Sequence, residues 1–245
     1  MIVFSFLRSL IMTLLFPLTV LILGPAAIVC HFIFANHKID SFFIRFWGQL
    51  VCKMYGVSVK AEGIENVGLE GGIILFNHSS FFDIFALVVA IPGIRFGAKA
   101  ELFKLPIFGQ ALKILGNLKI TRDNREEVFR IYDEAKERFS KNEKFCLAPE
   151  GGRFYDPKSL GRFKSGPFIF AISSGAHLIP VMIFGAHEVW PKGSLFANWD
   201  QWHRVIHVRI FAPQPTQHYS LNERQELQKK IYELMNQAWS AQNNN

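Results

Sequence analysis

The chain of 245 residues is short of charge: only 19% of its residues are Asp, Glu, Lys or Arg, while half are hydrophobic. A composition so poor in charge excludes a disordered chain, and it does not fit a collagen-like or coiled-coil protein. Cysteine is scarce as well. Cys30, Cys52 and Cys146 are odd in number and far apart, so they imply neither a disulfide framework nor a zinc site. They read as small buried hydrophobes in a reducing compartment. No Gly-x-Ser-x-Gly elbow occurs, which counts against a serine hydrolase of the α/β type. Phosphate-binding Gly-x-x-x-x-Gly-Lys loops and nucleic-acid motifs are also missing, so no nucleic acid is expected as a partner. His203 and His207 stand four apart, but Arg204 occupies the place where a zincin carries glutamate, so no metal is expected. The apolar excess is too localised for a multi-pass transporter.

Phenylalanine, by contrast, occurs 25 times, and Lys plus Arg exceed Asp plus Glu by 7. Mean hydropathy is +0.17 and the isoelectric point about 9.4. A basic, aromatic-rich, slightly apolar protein suits an anionic membrane surface or a phosphorylated substrate.

The apolar residues concentrate at the N-terminus, where Ser9 to Cys30 carry no formal charge. At ~1.5 Å per residue this run is just long enough for a hydrocarbon core of about 30 Å. Pro17, Gly24 and Pro25 fall inside it and are expected to break or kink it at Pro17. A signal peptide fits poorly, because the run exceeds the usual h-region and no small-x-small site leads into a polar start. In Ser41 to Tyr55, Phe42, Phe43, Phe46, Trp47, Leu50, Val51 and Met54 recur at helical spacing, with Arg45, Gln49 and Lys53 on another face. Such a helix fits a lipid interface, although the same pattern also serves a helix packed on a soluble core. Residues 1–56 are therefore read as a membrane-associated helical motif, spanning or dipping into one leaflet, and residues 57–245 as an α/β domain.

In that domain seven strands are predicted: Val57–Ala61, Gly72–Phe76, Arg95–Ala98, Leu118–Thr121, Phe145–Ala148, Leu178–Ile183 and Val205–Phe211. Helices are predicted over Phe82–Ala90, Phe108–Leu115, Glu126–Ser140 and Pro167–Ser174. A capping box, Ser220 with Glu223, opens a last helix through about Ser240, with a frayed tail from Asn243. The alternation argues for a largely parallel sheet flanked by helices.

The most informative stretch is Asn77-His78-Ser79-Ser80-Phe81-Phe82-Asp83, between a strand and a helix. On one continuous helix His78 and Asp83 would point apart, five residues being about 140° round the axis. If Ser80 caps the helix and His78 lies before it, the Asp83 carboxylate can fold back, fix the imidazole tautomer and stabilise an imidazolium. With no nucleophile elbow in the chain to pair with it, His78 reads as a base that activates a hydroxyl of the substrate.

Asn77 to Asp83 form a first block, and Lys99 to Gly109 with Gly116 to Arg122 a second. Ala148-Pro149-Glu150-Gly151-Gly152-Arg153 form a third, and Ile179-Pro180-Val181 a fourth. In these blocks the sequence resembles the glycerolipid acyltransferases typified by bacterial 1-acylglycerol-3-phosphate acyltransferase. The resemblance implies that His78 is the general base on a lysophospholipid hydroxyl and that Asp83 orients it. It further implies that Lys99, Arg122 and Arg153 hold the substrate phosphate, and that Glu150 and Gly151 place the glycerol part. An acyl-CoA or acyl-carrier-protein thioester would be the co-substrate, with no cofactor, and the acceptor most in keeping is 1-acylglycerol-3-phosphate, giving phosphatidic acid. Gly152 and Phe154 replace the Thr and Ser usual in the third block, which leaves room for another lysolipid such as a lyso-ornithine lipid. The rival of another class is a non-catalytic lipid-binding protein that keeps the fold. The implied location is the cytoplasmic (inner) membrane of a bacterium, with the catalytic domain facing the cytoplasm.

Overall fold

The computed structural model describes residues 2–68, 70–121 and 125–243. Two helices come first, α1 (Ile2–Phe34) and α2 (His37–Met54), followed by β1 (Val57–Glu62), β2 (Gly72–Phe76) and α3 (Phe82–Ala90). The chain continues through β3 (Ile94–Lys99), α4 (Phe108–Ile114), β4 (Leu118–Ile120), α5 (Arg125–Phe139) and β5 (Lys144–Leu147). It ends with α6 (Gly166–Ser174), β6 (His177–Phe184), the one-turn α7 (Ala186–Val189), β7 (Arg204–Ile210) and α8 (Arg224–Asn243). All seven predicted strands are present, within a residue or so of their expected ends. The Ser220–Glu223 capping box also forms, closing a short 3-10 turn that leads into α8.

The strands make one sheet in the order β1-β7-β6-β2-β5-β3-β4. Every neighbouring pair is parallel except β6 and β7. All five residues of β2 are buried, as expected of a central parallel strand covered on both faces. One apolar layer joins α2 and α3 to the sheet through Val51, Phe82, Phe85, Ile74 and Val181. The other joins α5, α6 and α8 through Tyr132, Phe168, Phe170, Leu227 and Trp239. Burying one such Phe is worth about 1.5–3 kcal/mol, so the two layers dominate stability.

The N-terminal motif departs from expectation in one respect. α1 runs unbroken through Pro17, Gly24 and Pro25, and the chain reverses at Ala35 and Asn36 instead. There the Asn36 side chain accepts from the Lys38 backbone N–H and caps α2. Proline costs a helix one hydrogen bond at each site, and neighbouring contacts hold α1 together across both. Phe16 packs on Phe81 and Phe85, Trp47 Nε1 donates to Thr19 Oγ1 at 2.9 Å, and Gly24 seats Ile107.

α2 serves core and surface at once. Its Val51 and Cys52 are buried, and a Cβ at Gly48 would stand 2.4 Å from Val88 Cγ2, so only glycine permits this approach to α3. Phe42, Arg45, Phe46, Gln49 and Lys53 face outward. α2 itself thus belongs to the packed core.

Candidate active site

Five parallel strands, β2 to β6, present their carboxyl ends along one edge, where open α/β sheets place ligands. His78 follows β2, the central strand of the seven, between β6 and β5. Asn77 fixes it from one side: buried, it donates through Nδ2 to Ile183 O at 2.9 Å and accepts from Ile183 N at 2.7 Å, tying the loop to β6. Ser80 closes the other side, its hydroxyl accepting from Phe82 N–H at the start of α3 and donating to Trp190 O at 2.8 Å. With Ser80 ending the loop, Asp83 in the first turn of α3 folds back as the spacing predicts. Its Oδ2 stands 2.8 Å from His78 Nδ1 and accepts from Ser79 N and Ser80 N, both at 2.7 Å.

Asp83 is fully buried, whereas the His78 side chain keeps 19% of its surface exposed. With Nδ1 committed to the carboxylate, Nε2 is the nitrogen left to take a proton from outside. Asp83 Oδ1 has no partner among the described residues.

Glu150 follows β5, on the strand next to β2. A turn closes from Gly151 N to Ala148 O at 3.0 Å, and Gly151 takes φ of +74°, a conformation glycine adopts freely. The turn aims the Glu150 carboxylate inward. Oε2 accepts from His78 N and Oε1 from Gly161 N, each at 3.0 Å. Phe154 N donates to His78 O at 2.7 Å, so the third block grips the backbone of His78 from both sides. The resemblance assigned Glu150 to the acceptor; in the structure its two oxygens are engaged by backbone N–H groups. Burial pushes its carboxyl up to about 7, against the pull of those two donors and of His78.

This gives a pH prediction. Below the ordinary glutamate range Glu150 is protonated whether the chain is folded or not. Between that range and about 7 the folded state holds the extra proton, so stability falls as pH rises through this window and levels off above it. Melting temperature should decline across the window in the wild type and stay flatter in Glu150→Gln. At acid pH the variant should melt lower, because its amide N–H₂ opposes one backbone donor at a cost of about 1–3 kcal/mol. Parallel profiles would show that Glu150 does not titrate there.

The cations are more spread out. Lys99 closes β3, two strands from β2, hence ~10 Å along the edge, with its ammonium 3.2 Å from Glu101. Arg153 lies one residue before the Phe154 contact to His78, and its carbonyl accepts from Lys192 Nζ at 3.0 Å. Arg122 falls outside the described residues. Sequence reasoning missed Asn77 as the bolt to β6, although an Asn at a strand end beside a candidate base is a usable signal. It also missed His187, stacked on Tyr155 with ring centres 3.6 Å apart and electrostatically coupled to Asp83. Nothing local in the sequence announces that pair.

The family model described as acyltransferase matches residues 58–184, the span that carries Asn77, His78, Asp83, Lys99, Glu150 and Arg153. The chain belongs to that family. It is 32% identical to a 1-acyl-sn-glycerol-3-phosphate acyltransferase of Salmonella typhimurium over 71% of each chain. With the enzyme of the same name from Saccharomyces cerevisiae it shares 28% identity, over 86% of this chain and 69% of the other. A chloroplast enzyme of that name from Arabidopsis thaliana is 27% identical over 65% of this chain, but only 45% of its own length is matched. The chain thus spans about half the length of the chloroplast relatives it matches. The crystal structure of a 1-acyl-sn-glycerophosphate acyltransferase from Thermotoga maritima superposes with a TM-score of 0.81 at 24% identity over 97% of both chains, which shows a common fold.

Proposed function

We propose that this acyltransferase moves a fatty acyl group from an acyl-CoA or acyl-carrier-protein thioester to the free hydroxyl of 1-acylglycerol-3-phosphate, forming phosphatidic acid. The observation that carries the reading is the His78–Asp83 pair at the carboxyl edge, with Nε2 left for the substrate. His78 takes the hydroxyl proton as the oxygen attacks the thioester carbonyl. The tetrahedral intermediate then collapses, the C–S bond breaks, and the imidazolium returns the proton to the leaving thiolate. Asp83 stabilises the imidazolium throughout.

Lys99, Arg122 and Arg153 would hold the acceptor phosphate through charge-assisted hydrogen bonds. Purified full-length protein, given labelled acyl-CoA or acyl-carrier protein and a panel of lysolipids, should acylate 1-acylglycerol-3-phosphate best. A preference for a lyso-ornithine lipid would move the head-group assignment, and inactivity across the panel would overturn the enzyme reading. Lys99→Ala and Arg153→Ala should raise KM for phosphate-bearing acceptors more than for acceptors lacking phosphate. Equal effects on both would make these side chains structural.

The same reading places the protein on the cytoplasmic membrane with its catalytic edge toward the cytoplasm. α1 is long and apolar enough to cross a bilayer by length and composition. Yet it touches the domain from Phe6, against Trp199, to Gly24, against Ile107. Those residues span ~27 Å at 1.5 Å per residue, so α1 lies along the domain and offers its outer face to one leaflet.

A further inference from the structure

Residues 190–203, between α7 and β7, form a tightly fastened loop. Ser194 N donates to Pro191 O at 3.3 Å, Trp190 Nε1 to Ser194 O at 2.9 Å, and Asn198 Nδ2 to Glu188 O at 2.7 Å. One end is tied to the catalytic loops, through Ser80 Oγ to Trp190 O and Lys192 Nζ to Arg153 O. The other end is tied to the first turns of α1. Ser9 Oγ donates to Ala197 O at 2.6 Å, Phe6 meets Trp199 edge to face at 5.2 Å, and the Arg8 guanidinium lies 4.0 Å over the Trp202 ring.

A loop held this firmly could tuck its apolar side chains away, yet Leu195 is 81% exposed and Trp202 52%. Phe6 and Trp199, both partly exposed, join the loop to α1, whose Val3, Phe4 and Leu7 also face outward. Exposed apolar side chains gathered on two joined elements mark a contact site. Beside it lies an open groove of about 310 Å³ lined by Gln49, Lys53, Gly56 and His203, with Arg8 over Gly56. Tryptophan with basic groups at its side is the composition of a membrane interface, where rings sit at headgroup depth and cations meet lipid phosphates.

We infer that loop 190–203 is a second membrane-contact element, seating Leu195 and Trp202 in the interfacial zone of an anionic bilayer beside the first turns of α1. The inference rests on the membrane attachment proposed above and extends it to a segment far away in sequence. Because the loop is fixed to Ser80 and Arg153 at one end and to α1 at the other, it sets the height of the His78 mouth over the lipid. A lysolipid whose tail stays in the bilayer needs that height held constant.

The test uses the full chain with Cys30→Ser, since Cys52 and Cys146 are buried and the Cys52 thiol is pushed up to about 12. Nitroxide labels at Leu195→Cys and, separately, Trp202→Cys are examined in vesicles of phosphatidylethanolamine and phosphatidylglycerol. Labels at Ile22→Cys on the outer face of α1 and Lys229→Cys on α8 serve as lipid and water references. Collision with oxygen should be favoured over collision with a water-soluble nickel chelate at 195 and 202, as at 22 and opposite to 229. A water-like result at 195 and 202 with a lipid-like result at 22 would overturn the inference and leave the membrane attachment standing. Water-like results at all positions would overturn both. Shielding from both reagents at 195 would mean that protein covers the patch, which would also overturn it.

Discussion

His78→Ala should lower turnover by about 10²–10⁴-fold, the usual contribution of a positioned general base, with KM for both substrates changed far less. Among the described residues the side chain makes a hydrogen bond through Nδ1 and a ring contact with Phe76, at the partly exposed edge of the sheet, so truncation removes the base without opening the core. Its backbone stays clamped, because Glu150 and Phe154 hold the N–H and the carbonyl and neither contact needs the imidazole. The variant should therefore fold, bind acceptor and donor, and fail at the chemical step. Steady-state rates at saturating thioester and lysolipid, with melting temperature as the folding control, separate these effects. A near-normal kcat would remove His78 from the role of base.

The hydrophobic pattern made the sheet legible element by element. Gly72–Phe76 and Phe145–Ala148 are short apolar runs bounded by turn residues, and both faces of each strand are covered, so no alternation had to be guessed. The His78–Asp83 contact was legible for a local reason, since the loop ends just before α3 and leaves both side chains on one side. The cap position itself falls on Phe81, one residue later than expected, with Ser80 Oγ accepting from Phe82 N–H. Contacts between distant segments were not. Asn77 gripping Ile183 and Glu150 gripping the His78 N–H depend on β2 lying between β5 and β6, an order that strand patterns do not encode. Pro17 misled because proline signals a break only when the helix has nothing to lean on. α1 has Phe81, Phe85 and Trp47 beside it at that turn. The docking of residues 190–203 onto α1 joins positions nearly two hundred apart and leaves no trace in local composition.

Asp83 should separate geometry from charge when it is replaced in two ways. One oxygen, Oδ2, accepts from His78 Nδ1, Ser79 N and Ser80 N, while Oδ1 faces no donor among the described residues. In Asp83→Asn the amide oxygen can take the Oδ2 position and keep all three contacts, with N–H₂ where Oδ1 stood. The fold and the His78 tautomer are then preserved, and what is lost is the negative charge that stabilises the imidazolium as the proton moves. Asp83→Ala instead strands two buried backbone N–H groups, at about 1–3 kcal/mol each, and frees the imidazole to turn. Both variants should forfeit much of the ~10²–10⁴-fold advantage of the base. Asp83→Asn buries one unpartnered amide group and should melt somewhat lower, whereas Asp83→Ala should melt lower still and alone bind acceptor more weakly. If Asp83→Asn keeps wild-type kcat, the carboxylate only ties the loop and contributes no charge to the reaction. If both variants lose activity and stability to the same degree, orientation and charge cannot be acting separately, and the three-contact geometry around Oδ2 would have to be redrawn.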